Sequence, residues 1–429
     1  MNNNKPGGNR PQNRRRPTAG RAARPVKNFN PGRTEAEKEY PTTPAWKILV
    51  TVLILVLSVA VLLCSIAYFY IPGFFENPIK AIGALFEPDV SDNSNWGDPV
   101  NGAPAPIIEG ADREQGRYNF LVVGLNADLG NNTDTIMLVQ YDVGKSQINV
   151  VQIPSDTYID AGYNFNKINS VFAAAYNSGS GKRDQRRITG MEGDPQNGIM
   201  GFCEFVEKAY TVKIDYYVLI DTGAFCSLVD KLGGLRVNVP CRMKYSDPEQ
   251  DLFIDLYPGE QTLSGYDAMC MVRNRKTYVD ADYGRMDAQK IVLSALLKQI
   301  KEDFNVNTLK AVIEFAFENV TTNLSLSDCI YFGTQALDVD LSKMNMVTMP
   351  TISSCGYIST VETSCVEVIN KYINVFDKPI TAETFDRDNR LTNTRIKELY
   401  GTYLEATVDY TVYDADTVEK DSIKLNEKK

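Results

Sequence analysis

Residues 48–71 form a run of 24 residues without a single charge, closed by Pro72. A bilayer core takes about 20 apolar residues as helix, and a helix satisfies its own backbone hydrogen bonds in hydrocarbon. The run therefore predicts one transmembrane helix, and the folded mass must lie on one side of it. Trp46 at one end and Tyr68, Phe69 and Tyr70 at the other are rings suited to the membrane interface. A cleaved signal peptide would have a shorter apolar stretch and a shorter leader.

Charge supplies the direction. Residues 1–47 hold eleven Lys/Arg and three acidic residues, a net +8, including Arg14, Arg15, Arg16, Arg21, Arg24, Lys27, Arg33 and Lys47. The positive-inside bias predicts a cytoplasmic N-terminus and an extracytoplasmic 72–429 in the cell membrane. This arm is rich in Asn, Pro, Gly and Arg and is predicted to be disordered. The same arginines would suit nucleic acid, but topology already accounts for them, and no helix-turn-helix pattern precedes residue 47. The remainder carries 34 basic and 51 acidic residues, a net −17. That acidic body argues against nucleic acid as a partner.

Two compositional facts narrow the chemistry. The chain has no histidine, which removes His-based triads and His metal sites together. Its eight cysteines show no CxxC pair. Cys355 and Cys365 are near enough in sequence for one bridge, and the others read as buried thiols.

Beyond the apolar run, residues 72–117 read as a stalk with a short helix at 78–86. A folded domain is predicted over 118–376, and a C-terminal extension over 377–429 becomes polar after about 385 and reads as extended or disordered. Near-continuous apolar runs at 118–125, 135–143, 148–153 and 215–220 predict buried strands. Shorter strands are expected at 236–240, 344–349 and 356–360. Helical patterns occupy 201–210, 222–232, 265–275, 282–301, 308–317, 327–337 and 362–375. The Gly-, Arg- and Asp-rich stretch 178–198 reads as a mobile insertion. Strands alternating with helices predict an α/β fold, a central mixed β-sheet flanked by helices and preceded by one transmembrane helix.

The segments that identify a relative come in a fixed order. They are FLVVGLNADLGNNTDTIMLV at 120–139, VVQIPSDTYID at 150–160 and KIN at 167–169. Then follow IDYYVLIDTGAFCSLVDKLGGLRVNVP at 214–240, YSDPEQDLFIDLYPGEQTLSGYDAMCMVRNR at 245–275 and DYGRMDAQK at 282–290. With these motifs in this order the chain resembles the LytR-CpsA-Psr family of Gram-positive cell-envelope proteins. The resemblance implies a magnesium-dependent phosphotransferase. Such an enzyme moves a glycopolymer of teichoic acid or capsule type from an undecaprenyl-pyrophosphate carrier to peptidoglycan. It also implies a prenyl pocket between sheet and helices, with the pyrophosphate at its mouth.

Phosphoglycosyl transfer requires neutralisation of a pyrophosphate, by guanidinium forks or by magnesium held on one or two carboxylates. Arg273 and Arg275 match the family's R-x-R, and Arg285 follows Asp282 at the start of the next helix, whose N-terminus favours anions. The ordinary reading of each Arg is a surface ion pair. Asp134, in T-D-T, matches the family's magnesium carboxylate, though an Asp there also serves as a turn cap. Lys167 and Asp156 match positions around the same mouth.

Asn126 stands where the family usually has a second acidic residue, and Asn132, Ser155 and Ala288 stand where it usually has Arg. Asn126 and Asp128 remain possible metal ligands. Lys182, Arg183, Arg186 and Arg187 of the insertion are potential substitute cations, or simply a solvated loop. The departures leave two functions open: a transferase, or a protein that binds polyprenyl-phosphate lipid or envelope glycan without efficient transfer.

Overall fold

The computed structural model describes residues 45–73, 76–88, 108, 110–126, 131–160, 166–178, 194–248, 252–303, 305–354, 357–391, 398 and 407–427. The chain divides into two units, 1–65 and 66–429. Helix α1 (Ala45–Tyr70) carries the uncharged run. The side chains described within it, Val50 and residues 52–66, are exposed all round. Among the described residues no helix is long and apolar enough to cross a membrane.

The second unit is built on a seven-stranded sheet. Its strands are β1 (Arg117–Asn126), β2 (Asn132–Asp142), β3 (Gln147–Gln152), β4 (Tyr216–Asp221), β9 (Thr321–Thr322), β10 (Asn345–Thr348) and β13 (Val412–Tyr413), in the order β13-β10-β3-β2-β1-β4-β9. The β1–β4 and β3–β10 pairs are parallel and the others antiparallel. The architecture is thus α/β with a mixed sheet.

One face of the sheet is sealed. Leu121, Val123, Ile136, Leu138 and Val151 are all 0 % exposed. They pack against α3 (Val171–Ser178), α4 (Pro195–Tyr210) and α10 (Glu362–Tyr372), through Phe172, Phe202 and Ile369 among others. Each such burial contributes about 1.5–3 kcal/mol. The other face carries α5 (Thr222–Lys231), α6 (Gly265–Arg273) and α7 (Ala281–Glu302). Helix α7 is tied over β3 and β10 through Lys290 Nζ to Thr348 Oγ1, 2.7 Å, and Arg285 Nη2 to Ser155 Oγ, 3.1 Å. Helix α5 lies beside β4 and β1. Val122, Val139, Val218 and Ile220 of the central strands are only half-buried, as is Phe120, whose ring meets those of Tyr216 and Phe332. So are Phe225, Val272, Leu293, Leu296 and Leu297 on the helices.

Two hairpin-like pairs extend this side: β5 (Leu235–Val239) with β8 (Gly259–Leu263), and β6 (Met243–Asp247) with β7 (Leu252–Leu256). Helices α2 (Pro78–Ala84), α8 (Val306–Asn319) and α9 (Leu326–Gln335) complete the unit.

Four expectations are corrected. The strand expected at 356–360 is β12 (Tyr357–Thr360), and it pairs with β11 (Thr351–Ser354) as a separate ribbon instead of entering the central sheet. Helix α4 begins at Pro195, six residues before the predicted start, because Asp194 caps it by accepting from Gln196 N and Pro195 suits the first turn. The rest of that insertion, with Lys182, Arg183, Arg186 and Arg187, lies outside the described residues. The tail is also ordered at its end. Strand β13 adds to β10, and α11 (Thr417–Glu427) packs on α7, with Ala415 and Val418 buried. Finally, Cys365 is a buried free thiol donating to Pro350 O, while Cys355 lies outside the described residues.

Candidate functional site

The ends of β1, β2 and β3 that share one edge of the sheet meet the α6–α7 junction. Asn126 closes β1, and its register partner Asn132 opens β2, two residues before Asp134. Ser155 and Asp156 follow β3. They are fixed by the K-I-N segment, since Asn169 N donates to Ser155 O (3.2 Å) and Ile168 N to Thr157 O (2.9 Å). Lys167 Nζ pairs with Asp156 Oδ1 at 3.0 Å.

Helix α6 ends at Arg273, and Asn274 turns the chain into extended conformation (φ −67°, ψ 125°). This turn lets two arginines that are two residues apart leave a helix in different directions. Arg275 reaches back to α7, with Nε 3.2 Å from Asp282 Oδ1. Arg273 stays along α6, with Nη1 3.8 Å from Met269 Sδ. Gly284 permits the tight entry to α7, since a Cβ there would stand 2.3 Å from Tyr278 Cβ.

Arg285 is the centre of the cluster and is only 2 % exposed. Its Nη2 lies 2.9 Å from Asp282 Oδ1 and donates to Ser155 Oγ. Asp282 therefore joins Arg275 and Arg285, within ion-pair range but at angles that make no hydrogen bond to its carboxylate. Burial lowers the Arg285 pKa, assisted by the like charge of Arg275 and opposed by Asp282, Asp134 and Asp156. All four of those charged residues act on this one guanidinium.

The cluster leaves buried polar atoms without partners. Arg285 Nε, Asp282 Oδ2 and Asn126 Oδ1 accept or donate no hydrogen bond. Each such atom costs about 1–3 kcal/mol, and buried orphans of this kind call for an explanation such as a ligand or ion. Asn126 Nδ2 meanwhile donates to Asp134 Oδ2 at 3.1 Å. With its amide turned over, Asn126 would present a carbonyl beside that carboxylate, a set that fits a hard cation completing its shell from phosphate and water. Among the described residues no group of three or more Cys, Asp or Glu is gathered to hold a metal unaided. Asp128 lies outside them.

The structure thus gathers Arg275, Arg285, Asp282, Ser155, Asp134 and Asn126, with Asp156 and Lys167 alongside. Ala288, at a usual Arg position, is fully buried in the core of the α6–α7 side. The match at the α7 start singled out Asp282 beside Arg285 but gave no sign that it joins two arginines. Its position three residues before Arg285 was the available signal.

Known proteins share part of this sequence and fold. A Bacillus subtilis protein named polyisoprenyl-teichoic acid–peptidoglycan teichoic acid transferase TagV is 27 % identical over 225 residues, 51 % of this chain and 53 % of that protein. The Corynebacterium glutamicum cell wall biosynthesis protein LcpA is 27 % identical over 283 residues, 61 % of this chain and 52 % of that protein. The matches thus span about half the length of these two relatives. In fold, the chain is similar to the crystal structure of the Streptococcus agalactiae protein gbs0355, with a TM-score of 0.50 and 17 % identity over 68 % of this chain and 96 % of that one. The sequence pattern of the LytR_cpsA_psr family matches residues 92–373, well over half of the chain, and the protein belongs to that family.

Proposed function

We propose that this protein transfers a glycopolymer from a polyprenyl-pyrophosphate carrier to peptidoglycan. The observation that carries the reading is the Arg275–Asp282–Arg285 cluster, with its unpartnered buried atoms, at the edge of a sheet whose adjoining face is half-open and apolar. The Bacillus subtilis relative is named as a transferase of this type, which supports it.

In this reading Arg275 and Arg285 hold the pyrophosphate through charge-assisted donors. Asp282 keeps both guanidiniums aimed while leaving their remaining N–H groups to the substrate. The acceptor hydroxyl oxygen forms a bond to the sugar-proximal phosphorus, the phosphoanhydride bond breaks, and polyprenyl phosphate leaves as the acceptor for the hydroxyl proton. Asp134, with Asn126, would hold magnesium, which when bound neutralises phosphate charge. Val122, Val139, Val218, Leu293 and Leu296 offer the prenyl chain an apolar bed. In the same reading helix α1 would serve as the membrane anchor, since its described side chains are exposed, uncharged and mostly apolar. The basic arm would then lie in the cytoplasm and the α/β unit outside it.

The test is transfer of a lipid-pyrophosphate-linked glycan to peptidoglycan by the full chain with magnesium. Activity that disappears on chelation and in Arg275→Ala supports the proposal. No transfer by the wild type under any divalent cation would end it.

A second reading is favoured by Asn126 and Ser155, neutral residues satisfying partners that charged ones usually meet. The protein would then hold the lipid with little turnover. The double change Asn126→Asp and Ser155→Arg should raise transfer in that case, and an unchanged rate would count against it.

A further inference from the structure

The C-terminal extension lies beyond the part of the chain matched by the family, residues 92–373. Its last residues nevertheless grip the elements that carry the arginine cluster. Ser294 Oγ and Lys298 Nζ both donate to Ala415 O, at 2.9 and 3.1 Å, and Lys298 also pairs with Asp416. Lys290 Nζ lies 5.5 Å from the centre of the Tyr413 ring. Lys290, Ser294 and Lys298 are four residues apart and form one stripe of α7. A further contact comes from α11, where Asn426 Oδ1 accepts the backbone N–H of Val279 at 3.2 Å. Asn426 Nδ2 donates to Ser422 O at 2.8 Å, which sets the amide's orientation.

Val279 sits in the short loop between Arg275 and Asp282, the two residues whose ion pair spans that loop. The loop enters α7 through Ala281 at φ +40°, a conformation that a non-glycine residue keeps only when its surroundings hold it. We infer that the C-terminal extension is a brace for the α6–α7 loop, with Asn426 a positioning residue that holds Arg275 and Asp282 in register with Arg285. The functional half of this inference rests on the phosphate-site reading, whereas the brace itself does not.

The test uses the full chain, with hydrogen exchange at the Val279 amide and farnesyl pyrophosphate as the binding probe. In Asn426→Ala the Val279 amide should exchange roughly three- to tenfold faster, the loss of one ordinary hydrogen bond. Probe affinity should fall by a similar factor while the melting temperature barely moves. Asn426→Asp, which keeps an acceptor, should restore both. Unchanged exchange in Asn426→Ala would overturn the brace, and faster exchange with unaltered affinity would overturn its positioning role. If the wild type itself fails to bind farnesyl pyrophosphate while the exchange effect persists, the brace stands and the lipid-phosphate reading fails.

Discussion

Leu121 and Val122 are neighbours on one strand, yet they meet different surroundings. On Leu121's side of the sheet Leu121, Val123, Ile136, Leu138 and Val151 are sealed under α3, α4 and α10 with no exposure at all. On Val122's side Val122, Val139 and Val218 are half-open although α5, α6 and α7 lie on that face, while Met137 and Val150 beside them are buried and Phe120 packs on Tyr216 and Phe332. Both faces are largely apolar, the second adding Tyr118, Met137, Tyr141 and Tyr216. The difference lies in the helices. On the second face α7 is held towards β3 and β10 by Lys290 and Arg285, which leaves the central strands without a close-packed lid. A sealed face stabilises the fold. On the proposed reading, a face left half-open and ending at buried, unpartnered arginine and carboxylate atoms would take a molecule with an apolar tail and an anionic head.

Four perturbations would break or sharpen that contrast. The largest effect belongs to the head end. Arg285→Ala should lower transfer by roughly 10²–10³-fold, the scale seen when one charge-stabilising donor is removed, with rates compared at saturating lipid substrate. On the sealed face Leu138→Ala should cost about 3 kcal/mol or more in denaturant unfolding, the usual result for a fully buried Leu. Filling the open face is a gentler change. Val122→Trp should weaken binding of a prenyl phosphate about tenfold or more by occupying its bed, while stability changes by no more than about 1 kcal/mol. The smallest effect is expected for Val139→Ala, about 1 kcal/mol or less in the same unfolding measurement, because the site is already half-open. Equal costs for Leu138→Ala and Val139→Ala, after allowing for side-chain size, would remove the distinction between the faces.

Much of this fold was legible in the sequence because its strands are extreme. YNFLVVGL and TIMLVQYDV are near-continuous apolar runs, the pattern of strands inside a covered sheet, and they fall in β1 and β2. What escaped lacks such a signature. The C-terminal β13 and α11 bury only Ala415, Val418 and Ser422 and otherwise depend on side chains of α7 capturing Ala415 O. A polar sequence cannot announce that its backbone is the ligand. The strands β6 and β7 carry Lys244, Ser246 and Asp255 on their outer faces and are five residues each, too short for a pattern to stand out. Within the site, Arg275 and Arg285 were legible from motif spacing, whereas the course of Arg273 along α6 depends on where that helix stops. The resemblance implied a pocket between sheet and helices, but which residues stay half-open was not legible, since Val122 and Leu121 are both simply apolar in a strand.

A structure of the full chain with a polyprenyl phosphate bound would show directly whether the half-open face and the arginines form one site. The prenyl chain should lie along Val122, Val139 and Val218 beneath α7, with its phosphate within hydrogen-bonding reach of Arg275 and Arg285. A lipid lodged elsewhere, or a phosphate directed away from both arginines, would contradict it.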